Sequence, residues 1–175
     1  RLVLISRWLW RRRSLSARMV RFFLIPPSML SRAVSALRVG AYRGGYLPRG
    51  SAKVPTIAVG NISVGGSGKT PIASWIAGHY AKSGLRPGIV LRGYGGDEGA
   101  VHRKLVCEAI VIENPDRLAG ASSAVEQGAE VIVLDDAYQR LDITRDLNIA
   151  IVSAESLASP RWTVPAGPWR EGWKA

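Results

Sequence analysis

The residues of this sequence that could do chemistry begin with a glycine-rich stretch that ends in Gly-Lys-Thr. This stretch, Gly60–Thr70, follows the apolar run Pro55–Val59 and leads into a helical pattern. A strand, a glycine-rich turn and a helix in this order are typical of a P-loop, whose backbone N–H groups and helix N-terminus bind phosphate oxygens. The stretch therefore predicts a nucleoside triphosphate site. A glycine-rich turn that merely joins a strand to a helix is the alternative, which the Gly-Lys-Thr ending disfavours.

Position within the P-loop assigns the individual roles. Lys69 would reach the β- and γ-phosphates, and the Thr70 hydroxyl would be a ligand for magnesium. Ser63 stands where the usual pattern has its first glycine, so the loop departs from that pattern at one position. The predicted nucleotide-binding residues are Ser63, Gly65, Gly66, Ser67, Gly68, Lys69 and Thr70.

Two neighbouring aspartates, Asp135 and Asp136, follow a second apolar run, Glu130–Leu134. An acidic residue at the end of a buried strand is what P-loop enzymes use to hold magnesium or its waters. Adjacent carboxylates also repel each other unless a cation lies between them. A polar turn is the alternative, since Asp is common in turns. With a P-loop in the same predicted sheet, we expect a metal site made of Thr70, Asp135 and Asp136.

A third candidate segment follows the predicted strand Gly88–Leu91. Ligands of parallel α/β sheets bind beyond the carboxyl ends of the strands, so we expect this segment to lie beside the triphosphate. Arg92 could contact phosphate, and Asp97 could accept the proton of an attacking hydroxyl. Alternatively, Asp97 and Glu98 only begin a helix, where acidic residues are favourable. Spacing alone favours this second interpretation.

Short apolar runs alternate with helical patterns from residue 54 onward. Such alternation predicts an α/β fold, like that of P-loop NTPases, with a mostly parallel sheet flanked by helices. The predicted strands are Pro55–Val59, Gly88–Leu91, Ala109–Ile112, Glu130–Leu134 and Asn148–Val152. The predicted helices after the P-loop are Pro71–Lys82 and Asp116–Gln127, the second with Asp116 as its N-cap.

Charge divides the chain into two different halves. The net charge is +11, yet no acidic residue precedes Asp97, and residues 97–175 hold 8 basic and 13 acidic side chains, a net of −5. The length suits one domain with a real core. The single cysteine, Cys107, excludes an internal disulfide and is expected to be a small buried residue near a strand. Because the chain begins at Arg1 rather than Met, we expect it to be a fragment.

Residues 1–53 are predicted to be a basic, amphipathic, membrane-associated segment. Arginines interrupt every apolar cluster, and no apolar run approaches the ~20 residues that a spanning helix needs. Arginine mixed with tryptophan and phenylalanine on short amphipathic helices suits an anionic membrane surface. Two alternatives stay open: an arm that binds nucleic acid, and a solvated helix packed on the domain. Tyr42–Lys53 is predicted to be the linker to a nucleotide-binding domain over residues 54–175.

Five motifs together resemble the tetraacyldisaccharide 4'-kinase family, the lipid A kinases. They arrive in the family's order, and the basic amphipathic N-terminus resembles the family's membrane anchor. The matching segments are Val59–Pro71, Arg92–Gly96, Asp135–Gln139, Arg145–Leu147 and Pro165–Glu171.

The resemblance implies a monotopic enzyme on the cytoplasmic face of the bacterial inner membrane. Its cofactors would be ATP and Mg²⁺, and its acceptor would be the 4'-hydroxyl of a tetraacylated glucosamine disaccharide 1-phosphate, with no nucleic-acid partner. Lys69 and Asp97 would be catalytic, Asp97 as the base towards the sugar hydroxyl. Arg92 and Glu98 would contact substrate or phosphate. The metal site would still consist of Thr70, Asp135 and Asp136.

This sequence departs from the family pattern in several places. Ala137 replaces a glycine and Arg140 a histidine, so a positive φ at residue 137 would be strained. The family's Gly-Asp-Glu element is fused to the preceding motif at Gly96, and most of the family's second half, with a histidine that supports the base, is absent. A membrane-recruited P-loop switch or a catalytically degenerate kinase fragment is therefore the alternative. His79 and His102 have no predicted role.

Overall fold

The structure is a computed structural model that describes residues 10, 14–65, 68–93 and 97–171. The helices are α1 (Leu15–Arg43), α2 (Lys69–Lys82), α3 (Asp97–Leu105), α4 (Arg117–Glu126) and α5 (Ala154–Leu157). The strands are β1 (Thr56–Asn61), β2 (Pro87–Leu91), β3 (Ile110–Glu113), β4 (Val131–Leu134) and β5 (Leu147–Ile151). Among the helices of these described ranges, none is long and apolar enough to cross a membrane.

The chain divides into two compact units. The first comprises Arg1–Tyr46, Ile62–Gly65 and Val152–Ala175, and the second comprises Leu47–Asn61 and Gly66–Ile151. The second unit holds the whole sheet and the three helices that cover it.

The sheet of the second unit has five strands in the order β3-β2-β4-β1-β5, and all of its strand pairs are parallel. Each predicted strand is present, with bounds that differ from the prediction by at most two residues. The α/β prediction is thereby confirmed. The short runs were recognisable because strands that are buried on both faces carry apolar residues at consecutive positions rather than at alternate ones.

Helices cover both faces of this sheet. On one face, α4 brings Ala121 and Ala124, both fully buried, against the strand residues Val90 and Ile132. On the other face, α2 and α3 lie over a second apolar cluster of strand residues. Asp116 caps α4 as predicted, since its carboxylate accepts hydrogen bonds from the two backbone N–H groups of residues 118 and 119.

The strand order explains why three loops can share one site. The strands β2, β4 and β1 are direct neighbours and parallel, so their carboxyl ends lie side by side at one edge of the sheet. The glycine-rich stretch follows β1, Arg92 follows β2, and the two aspartates follow β4. This edge is where ligands of parallel α/β sheets bind.

In the first unit, α1 is one helix of 29 residues, not the series of short helices that the sequence suggested. Pro26 and Pro27 lie inside it. The next turn is held by reciprocal buried hydrogen bonds: Ser28 Oγ donates to Thr163 O (2.8 Å), and Thr163 Oγ1 donates to Ser28 O (2.7 Å). Contacts made 135 residues away thus support a turn that local propensity would break.

The predicted linker Tyr42–Lys53 overlaps α1 by two residues, because α1 continues through Arg43. One further expectation from the sequence is wrong. Cys107 is exposed rather than buried. It lies in the turn between α3 and β3, where the preceding residue, Val106, takes the buried position against α2.

Two helical glycines give a matched test of this packing. A Cβ at Gly120 in α4 would lie 2.7 Å from Val90 Cγ1, a stiff β-branched side chain of the core, whereas a Cβ at Gly78 in α2 would meet nothing closer than 3.8 Å. Both Gly→Ala changes remove about 1 kcal/mol of helix penalty. Overpacking costs roughly 1–3 kcal/mol, so we expect Gly78→Ala to raise the free energy of unfolding and Gly120→Ala to lower it. Urea titrations measure both, and equal stabilisation by the two changes would contradict the described packing.

Candidate functional site

The N-terminus of α2 is the part of the site that the sequence predicts to bind phosphate. The helix begins two residues earlier than predicted, so Lys69 and Thr70 occupy its first turn. Gly68 precedes them in the left-handed conformation, with φ of 76°, which suits a residue without a side chain. The first turn contains no acidic residue, and none of the described side chains caps it, so its N–H donors and positive dipole end can face an anion.

The first turn of α2 is joined directly to the end of β4. The Thr70 hydroxyl donates a hydrogen bond of 3.0 Å to Asp135 Oδ2. The Asp135 carboxylate is buried, with only 2% of the residue exposed. The structure thus brings together two of the three predicted metal-site residues, which are 65 positions apart in sequence.

The third predicted metal-site residue, Asp136, pairs with the P-loop lysine. Lys69 Nζ lies 3.4 Å from Asp136 Oδ1, and both side chains are partly exposed. Asp136 has a φ of 52°, a left-handed conformation that aspartate tolerates better than most residues. The positive φ therefore falls on Asp136 and not on Ala137, which is fully buried and donates its N–H to Val59 O.

The neighbouring motif residues hold the aspartate loop in this shape. Arg145 Nη1 donates to the carbonyl oxygens of Ala137 and Tyr138, at 3.1 and 2.9 Å. Gln139 Nε2 donates to Asn61 O at the end of β1. Arg140, the residue in place of the family's histidine, donates to Pro115 O. These bonds give the motif from Asp135 to Arg145 a structural role around the two carboxylates.

The donor set fits a divalent cation. Asp135 Oδ1 is buried and has no hydrogen-bond partner among the residues that the structure describes. A buried carboxylate oxygen without a partner is costly, and a cation or its water would satisfy it. Within the same residues, no group of three His, Cys, Asp or Glu side chains could hold a metal by itself. Magnesium at nucleotide sites needs no such cage, because one or two carboxylates and substrate phosphates suffice.

Arg117 is a site residue that the sequence analysis missed. Its guanidinium is buried in the second unit and donates to Asp135 O (3.2 Å) and to Asn114 O (2.7 Å). Burial lowers the pKa of Arg117, the nearby Arg140 lowers it further, and the two site aspartates oppose this shift. An arginine stays charged nonetheless, so it offsets part of the negative charge of the carboxylates from inside the protein.

His102, left without a role by the sequence analysis, lies inside the site. The residue is fully buried on α3, its Nδ1 lies 2.8 Å from Ser74 Oγ, and its Nε2 lies 3.1 Å from Asp135 Oδ2. No local pattern around His102 signals this position, because both partners come from other elements. The packing of α3 against α2, and the position of Asp135 at the end of β4, bring the three side chains together.

The other predicted active-site residues lie at the same edge of the second unit. Arg92 is exposed and follows β2. Asp97 and Glu98 form the first turn of α3 and are exposed. This is the geometry expected if the two acidic residues only begin a helix. Their helix is the one that carries His102, so α3 links the predicted base to the aspartate site.

The beginning of the P-loop belongs to the first unit. Ser63 is buried, and its hydroxyl accepts a hydrogen bond of 2.8 Å from Ser156. The backbone on either side of Ser63 pairs with the segment 168–170, through Val64 N to Pro168 O (2.7 Å) and Arg170 N to Ile62 O (2.9 Å). Ser63 has no positive φ, so a serine fits this position, and Gly65 has φ of 134°. Gly66 and Ser67 lie outside the described residues.

Comparisons with known proteins agree on one family. The model of the family described as tetraacyldisaccharide-1-P 4'-kinase matches residues 20–109 and 96–175. The tetraacyldisaccharide 4'-kinase of Aromatoleum aromaticum is 37% identical over 183 residues, covering 93% of this chain and 53% of that protein. The enzyme of the same name from Azoarcus sp. strain BH72 is 36% identical, over 93% of this chain and 52% of its own.

A solved structure is also similar. The "apo" form of LpxK from Aquifex aeolicus, determined in complex with ATP, matches with a TM-score of 0.79 and 32% identity. The match covers 89% of this chain and 55% of that one. The chain thus spans about half the length of the relatives that it matches.

The ion pair between Lys69 and Asp136 yields a prediction. Asp136→Asn keeps a residue that tolerates the left-handed φ but removes the negative partner of Lys69. A partly exposed pair contributes about 0.2–1 kcal/mol, so ATP binding in EDTA should tighten by roughly 1.5- to 5-fold. Isothermal titration calorimetry measures this metal-free ATP affinity. The matched control is Asp142→Asn, which breaks a different ion pair, that of Asp142 with Arg140. Weaker metal-free binding by Asp136→Asn would contradict a competition between Asp136 and nucleotide for Lys69.

Proposed function

This chain belongs to the tetraacyldisaccharide-1-P 4'-kinase family, and we propose that it carries the nucleotide-binding part of such a kinase. The proposed reaction moves the γ-phosphate of ATP to the 4'-hydroxyl of a tetraacylated glucosamine disaccharide 1-phosphate, a step of lipid A biosynthesis. The observation that carries the proposal is the 3.0 Å hydrogen bond between Thr70, in the first turn of α2, and Asp135 at the end of β4. It joins a phosphate-binding helix N-terminus to a buried carboxylate with one oxygen unpartnered among the described residues.

The proposed role of the α2 N-terminus is to bind and orient the triphosphate. Its open N–H groups would donate to phosphate oxygens, and Lys69 would exchange Asp136 for the β- and γ-phosphates. Thr70, Asp135 and Asp136 are the residues that would hold magnesium. When bound, magnesium supplies charge neutralisation on the phosphate oxygens. Because the transition state of phosphoryl transfer is stabilised mainly by positioning and charge, these groups account for most of the chemistry that this part of the chain could supply.

On the acceptor side, Asp97 is proposed as the base that orients and deprotonates the sugar hydroxyl. Its exposed position at the start of α3 leaves the carboxylate accessible to an incoming substrate. Arg92 and Glu98 are proposed to contact the phosphate or the sugar. Support for these three roles comes from their place after β2 and at the start of α3, and from their match to the family's motifs.

Residues 1–53 are proposed to associate with the cytoplasmic face of the bacterial inner membrane. The described part of this segment, α1, exposes large apolar side chains over its whole length, including Phe22 (69%), Phe23 (72%) and Leu37 (74%). It also carries five arginines and no acidic residue. Such a helix suits an anionic lipid surface, where the acyl chains of the proposed substrate reside.

Paired substitutions test the proposed reaction. We expect Lys69→Ala to lower the rate of phosphoryl transfer by about 10²–10³-fold, since it removes a charge that acts on the developing phosphate charge. We expect Asp97→Asn to lower kcat by about 10²–10⁴-fold while ATP affinity stays unchanged, because only proton transfer is lost. The assay is transfer of labelled γ-phosphate to the tetraacyldisaccharide 1-phosphate in detergent micelles, with nucleotide binding measured in parallel.

The assay is run on the chain alone and on a chimera that continues with the rest of the Aromatoleum aromaticum relative. Transfer by the chimera that depends on Lys69 and Asp97 supports the kinase. ATP binding without transfer by either protein would instead favour a nucleotide switch or a degenerate kinase. Turnover that survives Asp97→Asn would exclude Asp97 as the base.

Vesicle binding tests the proposed membrane segment. The double change Leu30→Ser and Leu37→Ser, at residues 67% and 74% exposed, removes apolar area without changing charge. Burial of each leucine is worth about 1.5–3 kcal/mol, so binding to vesicles should fall by more than tenfold. Arg38→Gln should weaken binding to anionic vesicles alone, by about fivefold. Leucine variants that bind like the parent chain, with all binding abolished by salt, would instead favour a basic arm for nucleic acid.

A further inference from the structure

Four buried or part-buried side chains of the second unit form one continuous hydrogen-bonded network. The Thr70 hydroxyl donates to Asp135 Oδ2 (3.0 Å), His102 Nε2 lies 3.1 Å from the same oxygen, and His102 Nδ1 lies 2.8 Å from Ser74 Oγ. We propose that His102 is a positioning residue, whose Nε2–H fixes the Asp135 carboxylate in the orientation that presents Oδ1 to the nucleotide-bound cation. This inference rests on the proposed function, because it assigns the residue that orients the metal carboxylate.

The direction of every bond in the network follows from the chemistry of the groups. An ionised carboxylate only accepts, so Nε2 of His102 carries the proton that is donated to Asp135. Nδ1 of the neutral ring is then an acceptor, and the Ser74 hydroxyl must donate to it. Asp135, which can only accept, thereby selects the tautomer, and the Ser74 hydroxyl, which can donate or accept, adapts to the other ring nitrogen. Both ring nitrogens are satisfied, as a buried imidazole requires.

Helical spacing explains why one helix supplies both ends of the network. Thr70 and Ser74 are four residues apart on α2, so their side chains lie on the same face, one turn apart. Asp135 reaches this face from β4, and His102 reaches it from α3. Two elements that are far apart in the chain are thus tied to the helix that begins with Lys69.

The two oxygens of the Asp135 carboxylate therefore differ in the hydrogen bonds that they accept. Oδ2 accepts two hydrogen bonds, from Thr70 and from His102, whereas Oδ1 is buried and accepts none from the described residues. Rotation of the carboxylate would break both bonds in a buried environment. The network therefore holds Oδ1 as the oxygen left for a cation or its water.

A histidine that merely fills space in the core is the competing explanation. It predicts that an apolar residue of similar size serves as well, and that any loss follows stability rather than metal affinity. Substitution of His102 by glutamine or by asparagine separates the two explanations. The amide nitrogen of Gln can occupy the position of the ring Nε2, whereas the amide nitrogen of the shorter Asn reaches only the position of Nδ1. His102→Gln can still donate to Asp135, while His102→Asn can contact Ser74 alone.

The test measures Mn²⁺ affinity of the 175-residue chain with ATP bound, by electron paramagnetic resonance of free Mn²⁺. We expect His102→Asn and His102→Leu to weaken Mn²⁺ binding by about 10–100-fold, as loss of a group that orients a metal ligand typically does. His102→Gln should stay within about threefold of the parent chain, and Ser74→Ala should fall between the two. Affinity for ATP in EDTA, expected to be the same in all four variants, reports that each is folded.

Each outcome bears on the proposal. Equal Mn²⁺ affinity of the Leu, Asn and Gln variants would overturn the role of His102. In that case the proposed function would still stand if the parent chain binds ATP in a Mn²⁺-dependent way and Lys69→Ala abolishes this binding. A parent chain that binds no Mn²⁺ with ATP would overturn the proposed function and this inference together. If the Leu and Asn variants do not fold, ¹⁵N NMR of the ring nitrogens in the parent chain decides: a protonated Nε2 with an unprotonated Nδ1 supports the proposal, and the opposite tautomer overturns it.

Discussion

The meeting of α2 with the end of β4 is the interaction on which the site depends. A carboxylate as deeply buried as that of Asp135 must receive hydrogen bonds, and here they come from Thr70 and His102. Since Thr70 lies in the first turn of α2, the bond also fixes where that helix starts relative to the sheet. The parallel order β2-β4-β1 makes the contact possible, because it sets the carboxyl ends of the three strands side by side.

Several features of this edge are unfavourable for stability alone. Asp136 adopts a left-handed φ, Arg117 is a buried cation with Nε unpartnered among the described residues, and Asp135 Oδ1 has no partner there either. Each such feature costs about 1–3 kcal/mol in a folded protein. These three features lie together at the carboxyl edge of the sheet, beside the carboxylates that are proposed to hold a cation.

The sequence predicted what local patterns determine. Apolar runs located the five strands, the glycine-rich stretch located the start of α2 to within two residues, and Asp116 was recognisable as a cap because capping depends on the next three residues. Features that depend on distant contacts escaped it. His102 acquires its partners only where α3 packs against α2, and the residue after the two prolines of α1 bonds to Thr163, 135 residues away. The sequence also did not predict that the positive φ lies at Asp136, one residue before Ala137, where strain was considered. This conformation goes with the hydrogen bonds that hold the loop.

The most direct test of this account is a crystal structure of the chain with Mg²⁺ and a non-hydrolysable ATP analogue. The account predicts a cation at about 2.0–2.1 Å from the Thr70 hydroxyl oxygen, with Asp135 Oδ1 bound to it or to one of its waters. It also predicts that Lys69 has left Asp136 for the phosphates, while the bonds from Thr70 and His102 to Asp135 Oδ2 persist. A nucleotide bound elsewhere, or a bound nucleotide with Asp135 turned away from the cation, would contradict it.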